Sequence, residues 1–432
     1  MRERRIIRNE MLAEHYTKAV LDSGLTVLIY EMPQKSSVSV QLSAAIGSVT
    51  KRFELDGVVT ELPAGVAHFL EHKLFESEQG DAFTLFAKTG ASANAFTSFD
   101  RTTFLFNTTI HALESLRILI RFVNAPHFTE QSVAKEQGII GEEIRMYEDD
   151  PGWQLIFSLF RLLYKELPIN EDIAGSRQSI AQITPQMLYD CCKAFYAPQN
   201  MVLTVAGNIS ADDVLAVCEQ EYAALSFAQH SSRELFVEEP AAIVAPFASR
   251  SMEVAQRMFA MGYKEKPMLA ADRIRRETMM DMLLDLVAGE STEFYRELYE
   301  QGLINDSFSG GYYTGEGYLC TYFEGESPEP QKLMKLLQQR IAQLKQQGFD
   351  PQLFEERRRS AYGDAVCLFD SVDAVANNLT YCHFKNCEIY DIMNVIDSIT
   401  CDELHEMLCG LFDESCCALS VIEPNFEGAI KE

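Results

Sequence analysis

His68-Phe69-Leu70-Glu71-His72 sets two imidazoles four residues apart, with a carboxylate between them. On an α-helix, positions i and i+4 lie one above the other on a single face. Both rings can therefore reach one point, and Glu71 stands beside that point. Catalytic zinc takes three protein ligands and keeps a fourth position open. A neighbouring carboxylate that does not ligate the metal can accept a proton from an activated water. H-x-x-E-H is this set of groups in inverted order. The competing use of the same residues is a half-buried helix whose histidines bond to nearby carbonyls. A third donor separates the two readings.

Residues 133–148 offer one. Read as a helix, Val133, Ile140, Ile144 and Tyr147 form an apolar stripe. Glu136 and Glu143, seven residues and two turns apart, fall on the edge of that stripe. Acids avoid a core-facing stripe because a buried, unpaired carboxylate is costly. A bound dication removes the cost, so either glutamate is a candidate third donor. Glu142, Arg145 and Glu148 point elsewhere and read as a solvated face.

The elements that must position these groups are a mixture of strands and helices. Residues 25–30 and 38–43 read as strands around a Pro-bearing turn, and Pro63 and Gly65 break the chain before the histidine helix. Residues 91–108 form a second strand region. Helices are expected over 111–124 and 129–148, then from Pro151 with Asp150 as its cap, and over 183–196. Met201–Gly207 reads as a buried strand.

The order then repeats. Ile183-Thr184 and Leu188, followed by Val202–Val205, overlay without a gap on Ile399-Thr400 and Leu404, followed by Ala418–Val421. The shift is 216 residues, half of the 432-residue chain. Phe128-Thr129-Glu130 likewise overlays Phe349-Asp350-Pro351, which places Glu136 on Arg357 and Glu143 on Asp364. No histidine pair stands near residues 275–285. The expected organisation is two homologous α+β halves, each a mostly antiparallel sheet with helices packed on one face. Residues 1–228 carry the metal site, 229–246 is a linker with two prolines, and 247–432 is the half without metal. The glycines at 310, 311, 315 and 317 lack a G-K-[ST] and read as strand and turn; 332–347 reads as a solvated amphipathic helix.

H-x-x-E-H, some 70 residues, and then E-x6-E resembles the pitrilysin or insulinase family of zinc proteases, which includes the mitochondrial processing peptidases. Asn94-Ala95-Phe96-Thr97 is similar to that family's asparagine-alanine-aromatic-threonine strand, and Glu148-Asp149-Asp150-Pro151 closes the helix as in bacterial members. The resemblance covers nearly the whole chain. It implies Zn2+ held by His68, His72 and Glu143, Glu71 as general base, and Glu136 orienting a histidine from behind. It implies that Asn94, Ala95, Phe96 and Thr97 form a sheet edge beside the metal, to which an extended peptide adds through main-chain hydrogen bonds.

One departure stands out. The family carries an arginine and a tyrosine, six apart, in the second half of the enzyme. Here Tyr299 and Asn305 stand at those positions, and Arg296 is a helical turn off. The family also closes a chamber with four such halves, and this chain has two. The resemblance is therefore to the metal-bearing subunit of two-chain bacterial proteases. Its partner is expected to be a metal-free chain of the same fold that supplies the pair; a homodimer is the arrangement without it. The expected function is a zinc endopeptidase subunit acting on small peptides or unfolded segments. The alternatives are a non-catalytic scaffold or a peptide-binding subunit.

Bulk composition narrows the partners. The net charge of -27 argues against nucleic acid and anionic membranes. No run approaches the ~18 apolar residues of a membrane span, and the first ten residues lack the apolar core of a secretory signal. Arg2, Arg4, Arg5 and Arg8 there read as a solvated arm. Eleven scattered cysteines, without paired C-x-x-C motifs, fit reduced, cytoplasmic usage.

Overall fold

The computed structural model describes residues 1–77, 80–268 and 273–425. Its strands are β1 (Glu3–Asn9), β2 (Glu14–Val20), β3 (Thr26–Glu31), β4 (Val38–Ala44), β5 (Arg52–Leu55), β6 (Val58–Glu61), β7 (Glu76–Ser77), β8 (Gly80–Asp81), β9 (Ser92–Thr97), β10 (Thr102–Thr108), β11 (Met201–Gly207), β12 (Ser232–Glu234), β13 (Phe247–Met252), β14 (Met258–Glu265), β15 (Ser309–Gly315), β16 (Tyr318–Glu326) and β17 (Cys417–Pro424). Its helices are α1 (Val66–Leu74), α2 (Ala82–Thr89), α3 (Ala112–Val123), α4 (Glu130–Asp149), α5 (Pro151–Leu163), α6 (Arg177–Ile180), α7 (Pro185–Phe195), α8 (Ala211–Ala223), α9 (Arg273–Ala288), α10 (Glu293–Glu300), α11 (Pro330–Gln347), α12 (Pro351–Cys367), α13 (Val372–Phe384), α14 (Asp391–Ser398) and α15 (Cys401–Gly410).

The chain divides into two units. In the first, seven strands run β1-β2-β3-β11-β4-β10-β9, antiparallel except where β3 meets β11. In the second, five run β13-β17-β14-β16-β15, antiparallel except where β13 meets β17. Without the β1-β2 hairpin the two sheets have the same order and the same single parallel pair. The repeat visible in the sequence is therefore a repeat of topology. The helices preceding β11 and β17 start alike: Thr184 accepts from Met187 N–H and Thr400 from Glu403 N–H, each side chain capping its helix.

The units are not contiguous in sequence. The first comprises 1–144, 172–235 and 366–391; the second comprises 145–171, 236–365 and 392–432. They thus differ from the divisions 1–228 and 247–432 by two exchanged segments, each bearing a helix. Periodicity along a chain reports which face of a helix is buried, not which sheet buries it, so the exchange is invisible in sequence. The exchanged helix lies on its own face of each sheet. In the first unit Phe104, Leu42 and Leu203 are cross-strand neighbours, and Phe104 meets Phe122 of α3. Gln41 and Thr204 point the other way and hydrogen-bond to Thr380 of α13. In the second unit α5 crosses β14 at Gly262, where a Cβ would come 2.7 Å from Leu159 Cδ2. That approach explains a glycine in a central strand. The change of unit, at 235/236, falls inside the expected linker.

Residues 3–9, expected as a solvated arm, are strand β1, paired with β2 along its length. Its arginines remain exposed, as on a charged edge strand that discourages further pairing. Residues 309–315 form strand β15, and 330–347 form helix α11, as their composition indicated.

Candidate metal centre

Helix α1 is buried nearly all round; only His72 among its nine residues is half-exposed. Its polar side chains must therefore be satisfied by specific neighbours. The helix starts at Gly65, whose φ is 90°, and a Cβ there would lie 2.5 Å from Ala174 O. Gly175 meets Ala64 O in the same way from the other side, and Ser179 Oγ donates to Ala64 O at 2.8 Å. Backbone packed on backbone thus fixes where α1 begins. At its other end the C-cap residue Phe75 packs its ring against Phe104 and Phe122. Each such buried ring contributes about 1.5–3 kcal/mol.

Helix α4 supplies the other wall. His68 Nε2 stands 3.6 Å from Glu143 Oε1, and His72 Nε2 stands 3.5 Å from Glu143 Oε2. Ligand atoms of these three residues all lie within 4.8 Å of one another. Two donors about 2.0–2.1 Å from one ion at a tetrahedral angle lie about 3.4 Å apart. The N···O separations are thus those of donors spaced for a shared small dication, longer than direct hydrogen bonds. Imidazole and carboxylate are donors that suit zinc.

Glu136, two turns before Glu143, is buried and does not join that donor set. Its Oε1 lies 3.1 Å from His72 Nδ1, the far side of the ring. Its Oε2 lies 3.8 Å from Lys73 Nζ. Lys73 is fully buried and pairs with Glu76, which also meets Lys135 at 3.1 Å. Burial opposes the charged form of His72, but the Glu136 hydrogen bond and the charges of Glu143 and Glu71 outweigh it, so its pKa is raised. His68 has no such support: its Nδ1 is buried without a hydrogen-bond partner among the described residues.

Glu71 is buried beside the histidines, and burial raises its pKa against the opposing charge of His68 and the hydrogen bond from Thr97. Thr97 Oγ1 donates to Glu71 Oε2 at 2.6 Å. Thr97 ends β9, which occupies the edge of the seven-stranded sheet. Asn94, Ala95 and Phe96 precede it there, opposite Leu105, Phe104 and Thr103 of β10. Alternation puts Ala95 on the α1 face with Thr97, and Asn94 and Phe96 on the other face. Phe96 lies under the Arg101 guanidinium, 5.9 Å from its ring centre.

In the second unit Tyr299 is exposed on α10 and stacks on Tyr295. Asn305 is occupied by the turn it caps: it donates to Glu326 at 2.7 Å and accepts from Ser307 N–H and O–H. Arg296 pairs with Glu293 within the exposed face of its own helix.

Sequence reasoning missed Lys73 and the hydroxyl of Thr97. Lys73 carried one available signal: a lysine in a helix with no solvated face must have acidic partners. The Thr97 contact depends on how β9 crosses α1 and has no signature in spacing.

Residues 26–175 match the family model described as insulinase (peptidase family M16), and 182–361 match that of the peptidase M16 inactive domain. An uncharacterized zinc protease of Bacillus subtilis (strain 168), YmfH, is 33% identical over 409 residues, covering 93% of this chain and 95% of its own. The chain belongs to the M16 (insulinase) peptidase family. The crystal structure of an M16-like peptidase from Alicyclobacillus acidocaldarius agrees with a TM-score of 0.93 at 30% identity, over 97% of this chain and 100% of that one. The periplasmic protease PqqL from Escherichia coli shares the M16 fold with a TM-score of 0.74 at 19% identity, matching 98% of this chain but 48% of its own. Among the described residues no helix is long and apolar enough to cross a membrane.

Proposed function

We propose that this chain is the metal-bearing subunit of a zinc endopeptidase. The observation that carries the reading is the convergence of His68, His72 and Glu143 from two helices, with buried Glu71 alongside. The zinc-protease relative supports the choice of metal. Zinc in such a site activates a water and polarises a peptide carbonyl. Glu71 takes the proton of the attacking water and returns it to the leaving amine. Its burial favours the protonated form and so supports its holding that proton between the two transfers. Glu136 holds the His72 ring so that Nε2 faces Glu143. The edge of β9, ending at Thr97, receives the extended peptide through main-chain hydrogen bonds.

The chain works with a second, metal-free chain of the same fold, which supplies the arginine and tyrosine that Tyr299 and Asn305 replace. Two further observations favour this. This chain matches only about half the length of PqqL, and Asn305 is committed to its own turn. Reduced cysteine usage, with no disulfide among the described residues, fits a cytoplasmic location. A non-catalytic subunit is the second reading, favoured by the match of 182–361 to the inactive-domain model.

Turnover of a quenched peptide library by the purified chain, alone and mixed with its candidate partner, tests the proposal. Slow cleavage alone and a rise of roughly 10²–10³-fold on mixing are expected, the scale of one lost oxyanion donor. Rapid turnover by the isolated chain, unchanged on mixing, overturns the two-chain arrangement. No turnover in either case favours the scaffold.

A further inference from the structure

Glu71 is gripped from outside the metal donor set. Thr97 Oγ1 lies 2.6 Å from Glu71 Oε2 and 3.4 Å from Thr102 Oγ1. Thr102, opposite Thr97 in the ladder, is fully buried and gives its own hydroxyl proton to Ile46 O at 2.9 Å. A hydroxyl has one proton to donate, and an ionised carboxylate only accepts. The direction of the chain is thereby set: Thr102 spends its proton on the backbone, and Thr97 spends its proton on Glu71.

We propose that Thr97 is a positioning residue for Glu71, its hydroxyl fixing Oε2 so that Oε1 is the oxygen left to exchange the proton. This rests on Glu71 being the base. A buried carboxylate with two equivalent oxygens and no such tether can rotate about its last torsion, which is soft for a terminal carboxylate. Proton transfer needs one oxygen within hydrogen-bond reach of its donor, so the tether acts on the chemical step and not on peptide binding. It also joins the base to the strand that receives the peptide, since Thr97 ends β9.

The bland use of this threonine is its β-branched shape, which suits a strand. The second unit shows that a strand-to-helix hydroxyl link can exist without chemistry: Tyr312 of β15 donates to Asp281 of α9 at 3.3 Å. Two substitutions separate the uses in opposite directions. Thr97→Val keeps the branched shape and loses the hydroxyl; Thr97→Ser keeps the hydroxyl and loses the branch. With zinc content held at the wild-type level, Thr97→Val is expected to lower kcat roughly 10–100-fold, with KM within about twofold. Thr97→Ser is expected to restore kcat to within about threefold of wild type, and Tyr312→Phe to leave it unchanged.

A second readout needs no turnover. In metal-free protein, the Glu71 carboxyl 13C resonance, assigned by its disappearance in Glu71→Gln, is expected to shift in Thr97→Val and not in Thr97→Ser. Wild-type kcat and an unshifted resonance in Thr97→Val overturn the inference, as does a Ser variant impaired as far as the Val variant. If Glu71→Gln itself turns over at the wild-type rate, the base assignment fails. If Glu71→Gln is inactive while Thr97→Val is normal, only the role of Thr97 fails.

Discussion

Helices α1 and α4 in the first unit and α9 and α12 in the second each bring charged side chains together between two helices, and they do so differently. In the second unit Arg357 of α12 stands at the repeat position of Glu136, and it pairs directly with Asp285 of α9. There one base meets one acid, while α9 carries further acids in Asp281 and the buried Glu277. Asp364, at the repeat position of Glu143, is exposed. Asp281, a turn before Asp285, is pushed up to about 6, chiefly by burial, so a proton can neutralise it. In the first unit Glu71 when ionised, Glu76, Glu136 and Glu143 stand with two ammoniums, those of Lys73 and Lys135, and two imidazoles that are neutral when they ligate. The imbalance of two negative charges equals one dication. The raised pKa of His72 in the absence of an ion is the same imbalance met partly by a proton. The second repeat places a cation where the first has Glu136; the first instead gathers three donors for an ion from outside.

Glu71→Gln should break the first unit's chemistry most deeply. It removes the base and no donor, so metal content should hold while kcat falls about 10²–10⁴-fold. Loss of zinc in that variant would instead make Glu71 a ligand. Lys73→Met should come next. Removing one partner of a buried ion pair costs on the order of 3–5 kcal/mol, because Glu136 and Glu76 lose the cation between them. Denaturant unfolding of the metal-free protein should show the loss, and an unchanged midpoint would mean that the buried lysine carries no counter-charge.

Glu136→Gln keeps the size of the side chain and weakens its grip on His72. Zinc affinity should fall about 10–100-fold, as for other lost partners of a ligating histidine. Measured by competition with a chelator, undiminished affinity would leave Glu136 a structural acid only. Arg357→Ala, at the matching place in the second unit, should leave zinc binding untouched and change thermal stability only modestly, since the Asp285 side chain is 43% exposed and solvated. A fall in zinc content there would contradict the separation of the two repeats.

The smallest effect is in pH. The folded pKa of His72 in the metal-free protein is raised. Its contribution to stability is therefore fully present below the unfolded value near 6.5, and it is lost as pH rises through the folded value. With zinc the sign reverses, because protons compete with the ion for the same ring. Thermal midpoints between about pH 5.5 and 8 should fall with rising pH in chelator and rise with it in zinc. Parallel curves would detach His72 from the metal.

Much of this was legible in the sequence because it was written in spacing. His68 and His72 four apart, Glu136 and Glu143 seven apart, and a 216-residue repeat each translate directly into helix faces and topology. The exchange of α5 and α13, the pairing of β1, the burial of Lys73 and the Thr97–Glu71 contact were not legible. Each depends on which surfaces meet in three dimensions, and no local period records that. The strand β1 was hidden for a further reason: its arginines and exposed faces read as solvated, and an edge strand needs no buried pattern to form.

Zinc stoichiometry, measured after dialysis on the wild type and on His68→Ala, His72→Ala and Glu143→Gln, is the decisive test of the metal site. About one zinc per wild-type chain is expected, since among the described residues His68, His72 and Glu143 form the one cluster of three donors. Loss of the metal is expected in both histidine variants, and at least weakened retention in Glu143→Gln. Two zinc ions per chain, or full occupancy in either histidine variant, would rule out a single metal site on His68, His72 and Glu143.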